Sequence, residues 1–552
     1  MTQNKQWVKS LGQLMGIALV GAAFPLGFAP LSLWPISMLA ILLLWGGLQT
    51  DLGRRRPFLL GWCFGLGVYG LGTSWIFVSI FYFGGVSLGM SLGVTVGFTA
   101  LLALTSGAST WLYRYLYPNC TPKTYALSNT SNARIRLTSA LYDALCFAAS
   151  WLLLEWFRTW FFSGFPWLFL GYAGLDSVFS GYIPIVGVLG TSWIMIAILI
   201  LPAAAIYRRT KPVFAIAATI CLTLIGFGLS LYSWTTPDIQ RSIPVHLVQG
   251  NIPQIQKRDP FYFDEHLEIY KRMTVKLWDK LAAESPKTPT PHLMIWPEAA
   301  IPNLLHISWD TYTDFDKRAQ AANAGWISGV PWAEVSPDDY IFHNGIIAAG
   351  IGSGFYEKQR LVPFGESLPF PRIARKLGPL FNLSEYGFSP GDPNQPPLTA
   401  QGLQISPFIC YEVVFPELVR QQAKAADIML TISNDGWFGR SFGPDQHFQM
   451  ARARALETGK MLIRVTNNGT TAIIDERGKT LKKLPSFERD ILSGSAYPTT
   501  GQTPFMTLGH WPVLLVTFMT IIIGLARRFT LGTPRVDRKL QPQLTHRTDP
   551  AF

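Results

Sequence analysis

The chain has 552 residues, of which 49% are hydrophobic and only 14% are charged, and its mean hydropathy is +0.23. That composition is too apolar for an ordinary soluble enzyme, and the length allows for several domains. The formal net charge of +12 does not indicate nucleic-acid binding, because the basic residues concentrate in short stretches next to apolar segments. The sequence therefore predicts an integral membrane protein.

Apolar stretches of about 20 residues, the length that a bilayer requires, recur along the chain. We predict about eight spans, near residues 11–29, 32–49, 57–80, 84–112, 137–162, 185–206, 212–233 and 511–527. The first is expected to stay as an anchor, because no convincing cleavage site follows it. The predicted organisation is a membrane domain over 1–234 with about seven helices, an extracytoplasmic catalytic domain over 235–505, and a last helix with a basic tail over 506–552.

The distribution of Lys and Arg predicts the orientation of these spans. Basic residues precede the first span and recur at Arg54 to Arg56, Arg114 to Arg136, Arg208 to Lys211 and in the tail from Arg527. The alternate loops, near residues 30, 82 and 163–184, contain neither Lys nor Arg. Because positive loops stay on the cytoplasmic side, we expect both termini in the cytoplasm and the block from about 235 to 510 outside it.

The outer block has the alternation of strands and helices that is typical of a layered α/β domain. Strand-like runs lie near 243–249, 292–296, 325–330, 343–349, 404–410, 427–433, 461–466 and 470–475. Amphipathic helical segments lie near 262–283, 308–323, 415–425 and 445–459. Periodicity alone predicts no more than the α/β class.

Three reactive side chains follow strand-like runs in this block. Glu298 follows the apolar run that ends at Trp296, Lys358 closes a short run, and Cys410 ends a strand before a predicted strand-to-helix turn. A carboxylate, an ammonium and a thiol can act as base, oxyanion stabiliser and nucleophile. A lone cysteine in a strand is more often packing, but Cys410 is the sole cysteine of the outer block.

The segments IWPEAAIP, YEKQRLVPFGE, ICYEVVFPE and SNDGWFG contain these residues and resemble the signatures of the nitrilase, or carbon-nitrogen hydrolase, superfamily. Together with the flanking spans they are similar to the apolipoprotein N-acyltransferase family. The resemblance implies a four-layer αββα sandwich beside a multi-pass helical membrane domain. One departure is that a tryptophan often found in the family is absent from Gln254-Ile-Gln-Lys-Arg258.

The resemblance also implies a reaction in the bacterial inner membrane, on its periplasmic face. Glu298 would deprotonate Cys410, which would take an acyl chain from a phospholipid as a thioester. Lys358 and backbone N–H groups near Tyr411 would stabilise the oxyanion. The acceptor would be the α-amine of a diacylglyceryl-modified cysteine of an apolipoprotein. Neither a metal nor a dissociable cofactor is expected, because the sequence has no metal-binding spacing of His or Cys and no phosphate-binding glycine loop.

Two other classes of function stay open at this stage. A membrane-tethered nitrilase-like amidase would use the same three residues on a small polar substrate. A transporter would account for the spans but not for the outer Cys, Glu and Lys.

Further residues are predicted to support the reaction. Glu366 and Glu412 resemble additional carboxylates of the family, and could orient Lys358 or hold a proton. Tyr411 is expected to continue the strand. Asn434 and Trp437 lie in a turn that borders the nucleophile in the family.

A long loop from Leu361 to Gly391 is rich in Pro and Gly and has apolar and basic residues at its tips. Phe364 and Phe388 are among the apolar ones. The composition suits either a lid that rests on a lipid surface or an ordinary long insertion.

Charged and aromatic residues outside these segments are expected to stabilise the structure. Glu155 and Arg158 are expected to form an ion pair on one face of the fifth span, with phospholipid-headgroup binding as the alternative. The aromatic loop 164–176 is expected at the membrane surface, either as part of a lipid-accessible mouth or as an aromatic belt without a catalytic role. Arg454 and Glu457, with Arg452 on the same helix, are expected to form exposed ion pairs.

Overall fold

The structure is a computed structural model of the chain. It describes residues 2–530 apart from 119–132, 211, 258, 285–288, 336–339 and 368–386. Within these residues, apolar helices fill the N-terminal part up to Leu231 and return at Trp511, and an α/β domain lies between them. The predicted domain boundaries themselves stay a prediction.

Six of the described helices are long and apolar enough to cross a membrane: Trp7–Gly27, Leu88–Leu116, Leu137–Phe157, Ser180–Tyr207, Val213–Leu231 and Trp511–Phe529. The segment predicted as one span near 57–80 is instead two helices, Pro57–Gly72 and Trp75–Phe83, that meet at a bend of 50°. The break follows Gly70 and Gly72, which lower helix stability, and the Thr73 hydroxyl there donates to the carbonyl of Tyr69. Trp34–Leu48 is shorter, at 15 residues, or about 22 Å.

The α/β domain contains two stacked sheets and a two-stranded ribbon. The strands are β1 Thr235–Pro237, β2 Ile243–Gln249, β3 His292–Ile295, β4 Ala324–Val335, β5 Tyr340–Gly350, β6 Gly352–Ser353, β7 Phe355–Glu357, β8 Leu398–Ala400, β9 Leu403–Ile409, β10 Ile428–Ser433, β11 Leu462–Thr466, β12 Ala472–Ile474, β13 Thr480–Lys483, β14 Asp490–Ala496 and β15 Thr499–Gly501. One sheet has the order β14-β2-β3-β4-β5-β7 and the other β13-β12-β11-β10-β9-β8-β6.

Each sheet has three parallel strands at its centre and antiparallel strands at its flanks. β2, β3 and β4 are parallel in the first sheet, and β9, β10 and β11 are parallel in the second. The pairing of Ile295 with Ile327 and of Ile432 with Ile409 fixes the register at the carboxyl ends. Because parallel strands end at the same edge of a sheet, residues that follow β3, β9 and β10 are brought to common edges.

Helices cover both outer faces of the sheet pair. Phe263–Glu284 and Trp309–Ala321 pack on the six-stranded sheet, where Trp296 and Trp326 are fully buried. Apolar residues of both sheets, such as Ile295 and Ile432, form the core between them. Pro416–Ala423 and Gly443–Thr458 cover the seven-stranded sheet. The predicted αββα sandwich beside a multi-pass helical domain is confirmed.

The second helical layer lies between the sheet and the membrane helices. Phe408 and Met429 of the seven-stranded sheet belong to one continuous apolar core with residues of the membrane domain. β1 and β15 pair antiparallel where the chain leaves one membrane helix and approaches the next. The α/β domain is therefore joined to the membrane domain both by the chain and by a packed interface.

This interface corrects three predictions about charged and aromatic residues. Arg454 and Glu457 are not exposed: both are fully buried, 3.1 Å apart, and Glu457 accepts a hydrogen bond from the N–H of Val188 at 2.8 Å. They are buried because their helix is covered on one side by the sheet and on the other by membrane helices. Arg452 alone is partly exposed, and it pairs with Asp176 of the membrane domain.

The loop 164–176 is also mostly buried in this interface, although Asp176 at its end is exposed. Trp167 and Phe169 are at most 1% exposed. Glu155 and Arg158 do not hydrogen-bond to each other in the described part of the chain. Instead Glu155 accepts from the N–H of Leu170 at 3.0 Å, and Arg158 donates to the carbonyl of Trp167 at 2.8 Å. The two charges therefore hold the loop against the end of the helix Ala133–Phe157.

Candidate active site at the carboxyl ends of the strands

The three predicted reactive residues lie immediately after strands of the sandwich. Cys410 directly follows β9, Lys358 directly follows β7, and Glu298 follows β3 by a short turn. Gly329 on β4 lets this turn approach closely, since a Cβ there would lie 2.6 Å from the backbone nitrogen of Ala299. The site is thus held by the ends of rigid strands from both sheets.

Glu298, Lys358 and Glu366 form one buried polar cluster. The ammonium of Lys358 lies 2.7 Å from Oε1 of Glu366 and 3.6 Å from Oε1 of Glu298. Burial alone lowers the pKa of Lys358, but the carboxylates of Glu366 and then Glu298 raise it above its usual value. Lys358 therefore stays protonated and supplies a fixed positive charge in a buried site.

An asparagine that sequence reasoning missed joins the two carboxylates. The side-chain amide of Asn344, on β5, donates to Glu298 at 2.9 Å and to Glu366 at 3.2 Å. Its main-chain carbonyl accepts from the N–H of Lys358 at 2.8 Å. A polar amide immediately before the apolar run from Gly345 to Ala349, within a predicted strand, was the signal that could have identified it.

Asn434 reaches the same cluster through its main chain. Its N–H donates to Oε2 of Glu298 at 2.8 Å, and its side-chain amide donates to Gln254 at 2.8 Å. Each oxygen of Glu298 therefore receives one hydrogen bond, from Asn344 on one side and Asn434 on the other. Because a carboxylate oxygen has two lone pairs, each oxygen keeps the capacity to accept a proton.

Cys410 has an unusual backbone conformation for a residue other than glycine. Its φ is +52°, in the left-handed region, and the residue is half-buried at the start of a 3₁₀ turn, Cys410–Val414. Such conformations cost about 1–3 kcal/mol and persist where the surroundings fix them. This placement matches the predicted strand-to-helix turn that presents a nucleophile.

The thiol of Cys410 is electrostatically linked to the cluster. Burial raises its pKa well above the usual value, Glu298 adds to the rise, and Lys358 opposes it. The resting group is therefore a thiol, and a thiolate forms only if a base removes the proton. Glu298 is the carboxylate with the largest influence on this pKa.

Glu412 binds the backbone around the site and does not contact the side chain of Lys358 through a hydrogen bond. It is completely buried and accepts hydrogen bonds from the N–H groups of Ile409, Gln359 and Arg360, at 2.7, 2.6 and 3.2 Å, and from the hydroxyl of Tyr356 at 2.9 Å. Burial raises its pKa to about 7, although the backbone donors oppose this.

These donors come from two segments that are far apart in sequence. Gln359 and Arg360 follow Lys358 directly, and Ile409 precedes Cys410. Glu412 therefore fixes the distance between the strand that ends at Cys410 and the segment that starts at Lys358. Of the two predicted supporting carboxylates, Glu366 accepts a hydrogen bond from the side chain of Lys358. Glu412 instead binds the backbone after Lys358 and the backbone before Cys410.

Tyr411 and Trp437 face the membrane domain. The hydroxyl of Tyr411 donates to the carbonyl of Gly164 at 2.8 Å, so Tyr411 does not simply continue the strand as predicted. The carbonyl of Trp437 accepts from the hydroxyl of Ser79 at 2.8 Å, and the Trp437 ring is 36% exposed. Both residues next to the cluster are thus attached to membrane-domain segments.

The predicted loop 361–391 is described only at its two ends, and residues 368–386 lie outside the described residues. Phe364 is 62% exposed, has a φ of +63°, and is close in sequence to Glu366. The N–H of Phe388 donates to the carbonyl of Glu366 at 2.8 Å. Both aromatic residues therefore flank Glu366, and whether the loop between them acts as a lid stays a prediction.

The polar groups of the site do not form a metal site. Among the residues that the structure describes, no group of three or more His, Cys, Asp and Glu side chains could hold a metal ion. The arrangement brings together a carboxylate, a fixed cation and a thiol, the kinds of group that acyl transfer through a covalent intermediate requires.

Known proteins are similar to this chain along most of its length. Residues 20–201 match the apolipoprotein N-acyltransferase N-terminal domain, and residues 267–502 match the carbon-nitrogen hydrolase family. An apolipoprotein N-acyltransferase of Pseudomonas putida is 39% identical over 513 residues, which are 92% of this chain and 94% of that protein. One of Azotobacter vinelandii is 38% identical over 526 residues, 94% of this chain and 95% of that protein.

Among solved structures, a carbon-nitrogen hydrolase of Helicobacter pylori is similar to 52% of this chain over 99% of its own length, with 17% identity and a TM-score of 0.34. The family assignment rests on the relatives above, which are more than one-third identical and span nearly the whole length of both chains. The chain belongs to the apolipoprotein N-acyltransferase family.

Proposed function

We propose that this protein transfers an acyl chain from a phospholipid to the α-amine of a diacylglyceryl-modified cysteine at the N-terminus of an apolipoprotein. Membership of the family supports this activity. The observation that carries the proposal for this chain is that Glu298 and Lys358 lie 3.6 Å apart and that both charges act on the pKa of the Cys410 thiol. Tyr411, the next residue, donates a hydrogen bond to Gly164 of the membrane domain, which supports a site close to the membrane.

In the first half-reaction, Glu298 takes the proton of the Cys410 thiol as the sulfur attacks an ester carbonyl of the phospholipid. The C–S bond forms, and the carbonyl oxygen becomes negative. Lys358 lies 3.6 Å from Glu298 and carries a permanent charge, so it is suited to stabilise that oxyanion. The C–O bond then breaks, the lysophospholipid alkoxide takes the proton from Glu298, and an acyl thioester remains on Cys410.

In the second half-reaction, the amine of the acceptor attacks the thioester. Glu298 accepts a proton from the amine nitrogen, the C–N bond of the amide forms, and the C–S bond breaks. The thiolate of Cys410 regains the proton. A thioester reacts with amines more readily than an oxygen ester does, so no ATP is required, provided that water is excluded from the site.

The raised pKa of Cys410 fits this scheme. A thiol that ionised freely at neutral pH would be open to oxidation and alkylation, whereas one that needs Glu298 becomes nucleophilic only as the base acts. Glu298 itself is oriented by Asn344 and Asn434, which donate to its two oxygens.

The membrane orientation belongs to the same proposal. Both termini lie in the cytoplasm and the α/β domain lies in the periplasm, at the outer surface of the inner membrane. The clusters of Lys and Arg in alternate loops support this. A reporter enzyme that is active only outside the cytoplasm should be active when fused after Thr236 and inactive when fused after Arg209. The reverse pattern contradicts the orientation.

The reaction can be tested by trapping the intermediate. Purified protein incubated with a phospholipid labelled in its acyl chain should carry the label on Cys410, released by neutral hydroxylamine and located by mass spectrometry. Adding a diacylglyceryl lipopeptide should transfer the label to its amine. Cys410→Ala should abolish both steps, and Cys221→Ala, which removes an exposed cysteine of the membrane domain, should abolish neither.

Two further variants separate the roles within the site. Glu298→Gln and Lys358→Met should each slow thioester formation by about 1000-fold or more, because they remove the base and the oxyanion charge. If Cys410→Ala still transfers label to the lipopeptide at a normal rate, Cys410 is not the nucleophile. Hydrolysis of small amides without transfer from phospholipid would favour the amidase instead.

A further inference from the structure

The main chain of Cys410 is contacted by a buried histidine. His447, on the helix Gly443–Thr458, has its Nε2 3.1 Å from the carbonyl oxygen of Cys410. A carbonyl oxygen can only accept a hydrogen bond, so Nε2 must carry the hydrogen and donate it. In a neutral imidazole the other ring nitrogen, Nδ1, is then an acceptor.

Two charged side chains flank Nδ1, and one of them, Arg464, can donate to it as that tautomer requires. Arg464, on β11, donates through Nη2 to Nδ1 of His447 at 3.1 Å and to Oδ2 of Asp435 at 2.7 Å. Oδ1 of Asp435 lies 3.1 Å from the same ring nitrogen. The three side chains are at most 1% exposed. Burial, and next Arg464, lower the pKa of His447, so the imidazole is neutral and its Nε2–H is directed at Cys410.

The surroundings leave the Asp435 carboxylate and the ring little freedom. The indole of Trp167, from the buried membrane-domain loop, stacks on the imidazole with a centroid distance of 6.2 Å and an angle of 27°. Its Nε1 donates to Gln446, the residue before His447, at 2.6 Å. Gly469 packs against the carboxylate of Asp435, since a Cβ at Gly469 would lie 2.2 Å from Oδ2 of Asp435.

Cys410 needs such a contact because its backbone is in the left-handed region, at a φ of +52°. A side chain other than glycine disfavours that region, so neighbouring groups must hold it. We propose that His447 is a positioning residue, which donates Nε2–H to the carbonyl of Cys410 and thereby holds the nucleophile in the conformation that lets Glu298 and Lys358 act on its thiol. This inference rests on the proposed role of Cys410.

Two amide variants provide a matched test. In His447→Gln the side-chain amide can reach the position of Nε2 and donate, whereas in His447→Asn it reaches only the position of Nδ1. Thioester formation from labelled phospholipid should stay within about threefold of the natural protein for Gln and fall by about tenfold or more for Asn. The KM for phospholipid and the unfolding temperature should be the same in the two variants.

Chemical rescue provides a second test that does not require the Asn variant to fold. In His447→Ala, imidazole should restore thioester formation because it supplies an N–H donor, and 1-methylimidazole should not, because it has none. Equal rates for the Gln and Asn variants, or equal effects of the two added imidazoles, would overturn the positioning role. Absence of any thioester on Cys410 in the natural protein would instead contradict the proposed function, so the two failures are distinguishable.

Discussion

The two helical layers of the sandwich use charged residues in opposite ways. On the outer helices, charges point to solvent and form surface pairs such as Lys271 with Glu268 and Arg318 with Asp314, each at 2.9 Å. On the inner helix, Arg454 and Glu457 are fully buried and bind the membrane domain. The same residue types therefore make solvated pairs in one layer and interior contacts in the other.

The difference shows how this α/β fold is adapted to a membrane. An outer helix needs one apolar face, because water covers the other. The inner helix is covered on both sides, by the seven-stranded sheet and by membrane helices, and its polar residues find partners on both. His447 contacts Cys410 and Glu457 contacts Val188, so the layer connects the nucleophile to the membrane domain.

The largest expected difference between the layers concerns their arginines. Arg454→Met leaves Glu457 buried without its ion pair and should lower the free energy of unfolding by about 3–5 kcal/mol. Arg318→Met on the outer helix removes an exposed pair and should change it by less than about 0.5 kcal/mol. Thermal unfolding of the detergent-solubilised protein measures both. Equal shifts would contradict the distinction between the layers.

A second difference concerns glutamates. Glu412→Gln places an amide opposite several N–H donors, and should slow thioester formation by about 100-fold, or about 2.7 kcal/mol. Glu268→Gln on the outer surface should leave the rate unchanged. Rates are measured with labelled phospholipid. A normal rate in Glu412→Gln would show that the backbone near Lys358 and Cys410 is held by other contacts.

The six-stranded sheet, on which the outer helices pack, contains a buried histidine, His246 on β2, which gives a pH dependence. Burial, and next the neighbouring His292, lower the pKa of His246 to about 4. Unfolded histidine binds a proton at a higher pH, so the folded state binds fewer protons between about pH 4 and 6.5. The stability contribution is complete above pH 6.5 and is lost as pH falls through that range, by on the order of 2–3 kcal/mol.

Unfolding of the natural protein and of His246→Gln, measured from pH 4 to 7, tests this. The difference between their unfolding free energies should vary with pH in that window and be constant above it. His246 lies beside Ser493, which accepts or donates at 2.8 Å, and Gln can replace that contact. A difference that does not change with pH would exclude His246 as the titrating group.

The smallest expected effect concerns tyrosine hydroxyls. Tyr411→Phe removes the hydrogen bond to Gly164 of the membrane domain and should destabilise the protein by about 1 kcal/mol. Tyr312→Phe on the outer helix keeps its ring contact with Trp326 and should change stability by only a few tenths of that. If both variants unfold at the same temperature, the Tyr411 contact contributes nothing to the domain interface.

Sequence reasoning selected Glu298, Lys358 and Cys410 because each follows an apolar run and lies in a segment that resembles the family. All eight predicted strand-like runs are strands, although β4 and β5 extend further than predicted, and other strands such as β14 were not predicted. It did not find Asn344 or His447, because their partners are distant in the chain: Asn344 and Glu298 are 46 residues apart, and His447 and Cys410 are 37 apart. Such contacts depend on how strands align across the sheets.

The errors on charged residues have a related cause. Arg454 and Glu457 were expected at the surface because their spacing suits a solvated helical pair, and nothing local indicates a second covering layer. Glu155 and Arg158 were expected to pair because they are three residues apart, but the loop 164–176 folds back and offers each a main-chain partner.

By itself, the sequence determined that the chain is apolar enough for a membrane, that an α/β block interrupts its spans, and that Glu298, Lys358 and Cys410 end strands there. These features depend on composition and short-range periodicity. Tertiary structure decided which polar groups are buried and what they bind, since that depends on packing between distant segments. The inner layer makes this plain: only the contact of the sandwich with the membrane domain turns charged residues into interior ones and places Trp167 against His447.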